Sequence, residues 1–199
     1  MRQALVVLAM PKKIEFIKSA VLASEYPVHK KMEVAIAGRS NAGKSSFINA
    51  LGSSKIAKVS NTPGKTRLLN FFDMANSYVL VDMPGYGFAS RSGKEINEWE
   101  KMVETFLSSR ECLKGLLLVM DIRRAWTEEE ELMKEFTERS GLPLCVIMTK
   151  ADKISRSEML SAVMKVKKQT GLSAVFPSST LKRIGYEEVE KYIFENWIK

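Results

Sequence analysis

Histidine is nearly missing from this 199-residue chain, and cysteine is scarce. The one histidine, His29, cannot by itself anchor a His-based metal site or a catalytic triad; it stands in a polar stretch ahead of the first apolar strand and reads as a surface residue. The two cysteines, Cys112 and Cys145, form no CxxC pair and have no metal-ligand spacing, so both are expected to be reduced thiols rather than zinc ligands or a disulfide. No run approaches the ~20 apolar residues of a spanning helix. Arg2 and the apolar run 4–10 resemble a secretory signal only loosely, because Pro11-Lys12-Lys13 stands where a small-residue cleavage site belongs, and Met10 is an alternative start. Residue 2 is not glycine, and Asn196-Trp197-Ile198-Lys199 carries no terminal Cys box, so no lipidation is expected. The expectation is a cytoplasmic protein without a membrane span.

Acidic residues are outnumbered, 23 against 31 Lys and Arg, for a formal net charge of +8. The excess is local. Residues 1–31 hold six Lys/Arg against two Glu, 53–70 four against none, and 150–168 six against two, whereas 182–199 balance at four each. Basic segments of this kind suit a polyanionic partner, RNA first and an anionic membrane second; solvated lysines on helix faces are the plainer alternative.

What the chain has is alternation of strand and helix. Apolar runs of strand length occur at 34–37, 68–72, 78–81, 116–120, 144–148 and 174–176. Trp99, Met102, Val103 and Phe106 fall at i, i+3, i+4 and i+7 and define one buried helix face, as do Val189, Ile193 and Trp197 in a last helix. Thr127 with Glu130, and Ser155 with Glu158, have the spacing of capping boxes that start two more helices. Continuous runs such as Leu-Leu-Leu-Val-Met belong to strands covered on both faces. The gap between 72 and 78 is too short for a crossover helix, so those two strands form an antiparallel hairpin at one edge. The expected fold is α/β: a doubly wound, mostly parallel six-stranded sheet with one antiparallel edge strand and helices on both faces. One domain accounts for the length, with residues 1–30 an N-terminal extension and 31–199 the domain.

In such sheets, chemistry gathers at the carboxyl ends of the strands. After the first run comes Gly38-Arg39-Ser40-Asn41-Ala42-Gly43-Lys44-Ser45-Ser46, which opens a helix. This is a phosphate-binding loop: its N–H groups converge on phosphate oxygens, Lys44 reaches the β- and γ-phosphates and Ser45 ligates Mg²⁺. After the third run, Asp82-Met83-Pro84-Gly85 supplies an acid for the Mg²⁺ shell and an N–H for the γ-phosphate. After the fifth, Thr149-Lys150-Ala151-Asp152 supplies a carboxylate that accepts from guanine N1–H and the 2-amino group, with the Lys150 stem packed on loop and base. Pro177-Ser178-Ser179 back the base carbonyl. Gly64-Lys65-Thr66-Arg67-Leu68, following Thr62-Pro63, form a loop whose Thr66 hydroxyl completes the metal shell. Lys44 and Asp82 are 38 positions apart, Asp82 and Asp152 70, and Asp152 and Ser178 26, each at a strand end. That order marks a guanine-nucleotide switch of the P-loop NTPase G-domain type, with change expected at 53–67 and 84–94. A P-loop kinase or ATPase is the competing class, and the Asp152 motif speaks against it.

These segments, with Thr-Pro-Gly-Lys-Thr-Arg-Leu-Leu-Asn-Phe-Phe, Pro-Gly-Tyr-Gly-Phe-Ala and Met-Asp-Ile-Arg-Arg, make residues 13–199 resemble the EngB/YihA/YsxC family of bacterial GTPases. The resemblance implies a GTP-hydrolysing factor that assists assembly of the large ribosomal subunit, with ribosomal RNA and proteins as partners, and that supports cell division and septation. An interaction module of the division machinery with little hydrolysis is the alternative. It further implies Thr66 as the mobile-loop threonine, Asp82 and Gly85 as γ-phosphate sensors, Asp152 as the guanine reader and Lys44, Thr66 and Gly85 as the catalytic set. Arg124-Ala125-Trp126 departs from the family pattern. Tyr86 occupies the place of the water-orienting glutamine of Ras-like proteins, so intrinsic turnover is expected on the order of 10⁻⁴ to 10⁻² s⁻¹. Asn41 resembles the asparagine that holds K⁺ in cation-dependent relatives; bracing the loop is its other reading. A monomer is expected.

Overall fold

The computed structural model describes residues 14–52, 68–75, 77–87 and 93–199. The chain runs β1 (Ile14–Ala20), β2 (Glu33–Gly38), α1 (Lys44–Leu51), β3 (Leu69–Met74), β4 (Tyr78–Asp82), α2 (Gly93–Ser109), β5 (Leu113–Asp121), α3 (Glu128–Arg139), β6 (Leu144–Thr149), α4 (Arg156–Thr170), β7 (Val175–Pro177) and α5 (Tyr186–Ile193), which ends in a π turn at Phe194–Ile198. One sheet holds all seven strands in the order β1-β3-β4-β2-β5-β6-β7. The pairs from β4 through β2, β5 and β6 to β7 are parallel, and β3 is antiparallel to both β4 and β1.

The sheet therefore has seven strands where the apolar runs give six, and the hairpin strand β3 is not the edge. The additional strand, β1, lies within the stretch 1–30. Its pattern explains why no apolar run marks it: only Ile14 and Ala20 are buried, residues 15–18 are exposed and Ser19 half-buried, and the register slips between Phe16 and Lys18. An edge strand covered on one side has no use for a continuous apolar segment.

The central strands divide their side chains between two cores, as period-2 geometry requires. Ala35, Ala37, Leu116, Leu118, Met120, Val146 and Met148 face α2, α3 and α4, meeting Val103, Phe106, Met133, Phe136 and Val166. Val34, Ile36, Leu117, Val119, Cys145 and Ile147 face α1 and α5, meeting Phe47, Ile48, Val189, Ile193 and Trp197. The expected helix faces are in place: Val103 and Phe106 are fully buried with Trp99 and Met102 packed beside them, and Val189 and Ile193 are fully buried at the heart of the second core.

His29 departs from its surface reading. Its ring is 15% exposed and its Nε2 lies 3.0 Å from Glu33 Oε1. Glu33 is wholly buried at the start of β2, and a buried carboxylate needs partners. Arg110 supplies two, donating from Nε at 2.9 Å and Nη2 at 2.7 Å, and the His29 ring packs beside the carboxylate.

Candidate nucleotide-binding site

Because β2, β4, β5, β6 and β7 run in parallel, their carboxyl ends and the loops that follow lie along one rim of the sheet. Residues 38–46, 82–85, 149–152 and 177–179 all sit on that rim. Gly64, Lys65, Thr66 and Arg67 lie outside the described residues, as does the rest of 53–67, and residues 88–92 of the second switch segment do too. Leu68 stands just ahead of β3.

Two glycines fix the loop between β2 and α1. A Cβ on Gly38 would stand 2.6 Å from the Val119 carbonyl oxygen, so only glycine lets β2 pass this close to β5 at the turn. Gly43 takes φ +96°, in the left-handed region, and leads directly into Lys44, the first residue of α1. Asn41 adopts φ 61°, a conformation asparagine tolerates better than most side chains. The result is a turn ahead of a helix N-terminus, the geometry that presents backbone N–H groups to an anion.

The rest of the rim is tied to this loop. The Thr149 hydroxyl lies within hydrogen-bonding reach of the Ala42 carbonyl, and 3.0 Å from that of Met120. Lys150 Nζ donates to the Asn41 carbonyl at 2.8 Å and pairs with Asp121 at 3.0 Å. Asp121 is nearly buried at the end of β5. Burial opposes its charge, but hydrogen bonds from Arg123 and Lys150 outweigh that and hold its carboxyl well below the usual carboxylate range. Asp152 accepts from the Ser179 hydroxyl at 2.6 Å, and this bond, ahead of all other influences, lowers its pKa. Ala151 N–H donates to the Ser178 carbonyl at 3.0 Å, so the segments 149–152 and 177–179 form one unit.

On the phosphate side, the Lys44 ammonium contacts the Asp82 carboxylate, with both side chains largely shielded. Met83 N–H donates to the Ile36 carbonyl at 2.9 Å. A Cβ on Gly85 would stand 3.3 Å from the Gly38 carbonyl, so the 82–85 segment lies against the loop. Ser45 and Ser46 occupy the first turn of α1. One carboxylate and one hydroxyl beside a phosphate loop fit a hard cation such as Mg²⁺, which takes its remaining ligands from phosphate and water. Among the described residues no group of three or more His, Cys, Asp and Glu could cage a metal alone.

Arg39, Tyr86 and Glu130 are all named from the sequence, but the contacts that join them to the site are not. Arg39 sends its guanidinium away to pair with Glu129 at 2.7 Å, while its backbone bridges Tyr86. Tyr86 is buried and its hydroxyl donates to Glu130 at 3.1 Å; burial first, and the Glu130 charge second, push its pKa far up. Glu130 is also the capping residue of α3, its other oxygen accepting from the Thr127 N–H at 3.0 Å. Only the capping spacing hints at Glu130, and nothing in the sequence links residues 44 positions apart.

Comparison with known proteins identifies the family. A family model described as "50S ribosome-binding GTPase" matches residues 33–150. A probable GTP-binding protein EngB of Bdellovibrio bacteriovorus is 72% identical over 196 residues, covering 98% of each chain. Its counterpart from Clostridium beijerinckii is 42% identical over 187 residues, 92% of this chain and 94% of that one. Among solved structures, a probable GTP-binding protein engB aligns with TM-score 0.67 at 23% identity over 82% of this chain and 97% of that chain, a likeness of fold. A point variant of Aquifex aeolicus Era, bound to GDP·AlF4⁻, aligns with TM-score 0.68 at 28% identity over 85% of this chain and 58% of its own.

Proposed function

The chain belongs to the EngB family of GTP-binding proteins, and on that premise we propose that it is a slow, Mg²⁺-dependent GTPase switch acting in large-subunit assembly. In this reading it docks as a cytoplasmic monomer on the large ribosomal subunit or its precursor, and division and septation depend on that work. Among the described residues no helix is long and apolar enough to cross a membrane. The observation that carries the reading is the union of base and phosphate elements: Asp152 is held by Ser179, while Lys150 of the same motif reaches the Asn41 carbonyl. A site that reads the base and grips the phosphates through one motif suits a nucleotide switch.

In this reading the N–H groups of 39–45 and the Lys44 ammonium bind the phosphates, and Asp152 selects guanine. Mg²⁺, when bound near Ser45, Asp82 and Thr66, neutralises charge that develops on the phosphates. Gly85 offers its N–H toward the γ-phosphate from a segment already lying on the loop. Tyr86 is buried against Glu130, so it does not orient water, which favours slow turnover. Asn41 would hold a K⁺ ion that would supply the missing charge; hydrolysis is expected to be faster in KCl than in NaCl at equal ionic strength, and equal rates would remove this role. Sedimentation with purified large subunits tests the switch: the GTP-loaded protein should pellet with them and the GDP-loaded protein remain soluble. Binding that ignores the nucleotide, or no binding in either state, would defeat the reading.

A further inference from the structure

The basic character of this protein is broken at one pair of helices. Helix α2 carries four glutamates and α3 six, against two cations in each, in a chain of net charge +8. Both helices lie on the same face of the sheet as α4, which stays basic with four cations against one glutamate, so the acidic stretch is confined to the α2–α3 pair. Between them runs a groove of about 100 Å³ lined by Tyr86, Ile96, Trp99, Glu100, Glu129 and Leu132, together with Gly87. Its walls are apolar and its charged groups are both glutamates, Glu129 engaged by Arg39 at 2.7 Å and Glu100 on the α2 side. Ile96, 42% exposed, is the outermost apolar group.

The groove is wired to the nucleotide site. The Trp99 indole N–H donates to the Pro84 carbonyl at 3.1 Å, and the Trp99 and Tyr86 rings pack with centroids 5.9 Å apart. Pro84 and Tyr86 flank Gly85, the proposed γ-phosphate donor. Any shift of that segment changes the hydrogen bond and the ring contact that shape the groove.

We propose that this groove between α2 and α3 is the GTP-responsive docking site for a cationic polypeptide segment that inserts an apolar side chain beside Ile96 and Leu132. An acidic rim repels nucleic acid and attracts Lys- and Arg-rich protein, while the apolar walls give the anchor that affinity needs. The inference rests on the subunit-docking reading above and assigns the two polarities of the molecule: basic segments toward RNA, the acidic helices toward protein.

The test places the photoreactive residue p-benzoylphenylalanine at position 96, or at exposed Leu160 on α4 as an off-groove control, in the full chain. Each is irradiated with purified large ribosomal subunits in a non-hydrolysable GTP analogue or GDP, and the subunits are separated into protein and RNA. Position 96 should link to a Lys/Arg-rich polypeptide at least about fivefold more with the GTP analogue. Glu100→Lys, with unchanged nucleotide affinity as the folding control, should reduce that link roughly tenfold. If the protein pellets with subunits while position 96 links to RNA, links to nothing, or links equally in both states, the groove assignment is overturned and the switch reading stands. If it pellets in neither state, both fail.

Discussion

At the end of β5, Asp121 stays ionised although it is nearly buried, because Arg123 bonds it through its backbone N–H and its guanidinium and Lys150 pairs with it from just past β6. Its effect is positional: with Asp121 holding the ammonium, Lys150 is kept across the phosphate loop. A carboxyl held below its unfolded value of about 3.9 contributes stability that is complete above that pH and drains away as pH falls below it. Asp121→Asn should cost about 1–3 kcal/mol near neutral pH, in the range of lost charge-assisted hydrogen bonds. It should also flatten the loss of stability between about pH 4 and pH 2. Denaturant midpoints measured across that range decide it; a variant with the wild-type acid slope would show that Asp121 carries none of it.

Element by element, the first turn of α3 emerges as the hub of the nucleotide rim. Glu129 pairs with Arg39 of the phosphate loop, and Glu130 caps its own helix while accepting from Tyr86, next to Gly85. Tyr86→Phe leaves packing intact and removes one bond to a buried carboxylate, so a destabilisation of about 1.5–3 kcal/mol is expected. It should also change the ratio of GTP to GDP affinity, which a purely structural bond would leave alone; an unchanged ratio would uncouple α3 from the switch. These contacts also mark where sequence reading stops. The phosphate loop and the segments after β4 and β6 are legible because the chemistry needs particular residues in short, contiguous order. Strand β1 is not, since an edge strand with two buried residues has no periodic signal. The Tyr86–Glu130 and Arg39–Glu129 pairs are not either, because they are made by helix packing between distant segments. His29 misleads for the same reason: Glu33 looks like an ordinary strand-end acid until β5 and Arg110 close over it.

For the molecule as a whole, topology does most of the arranging. Five parallel strands bring four sequence-distant segments to one rim, and α2 and α3 carry net negative charge in a chain of net charge +8. A steep fall of subunit binding with salt would follow from the basic segments contacting phosphate. On the proposed reading, all of this serves one chemical choice, made where the Asp152 carboxylate would meet the base. The most direct measurement is therefore the binding of GTP and XTP to wild type and to Asp152→Asn. Two charge-assisted hydrogen bonds at roughly 1.5–3 kcal/mol each predict that GTP affinity falls by about two to four orders of magnitude while XTP becomes the better ligand. A variant that still prefers GTP as strongly as the wild type would contradict the account at its root.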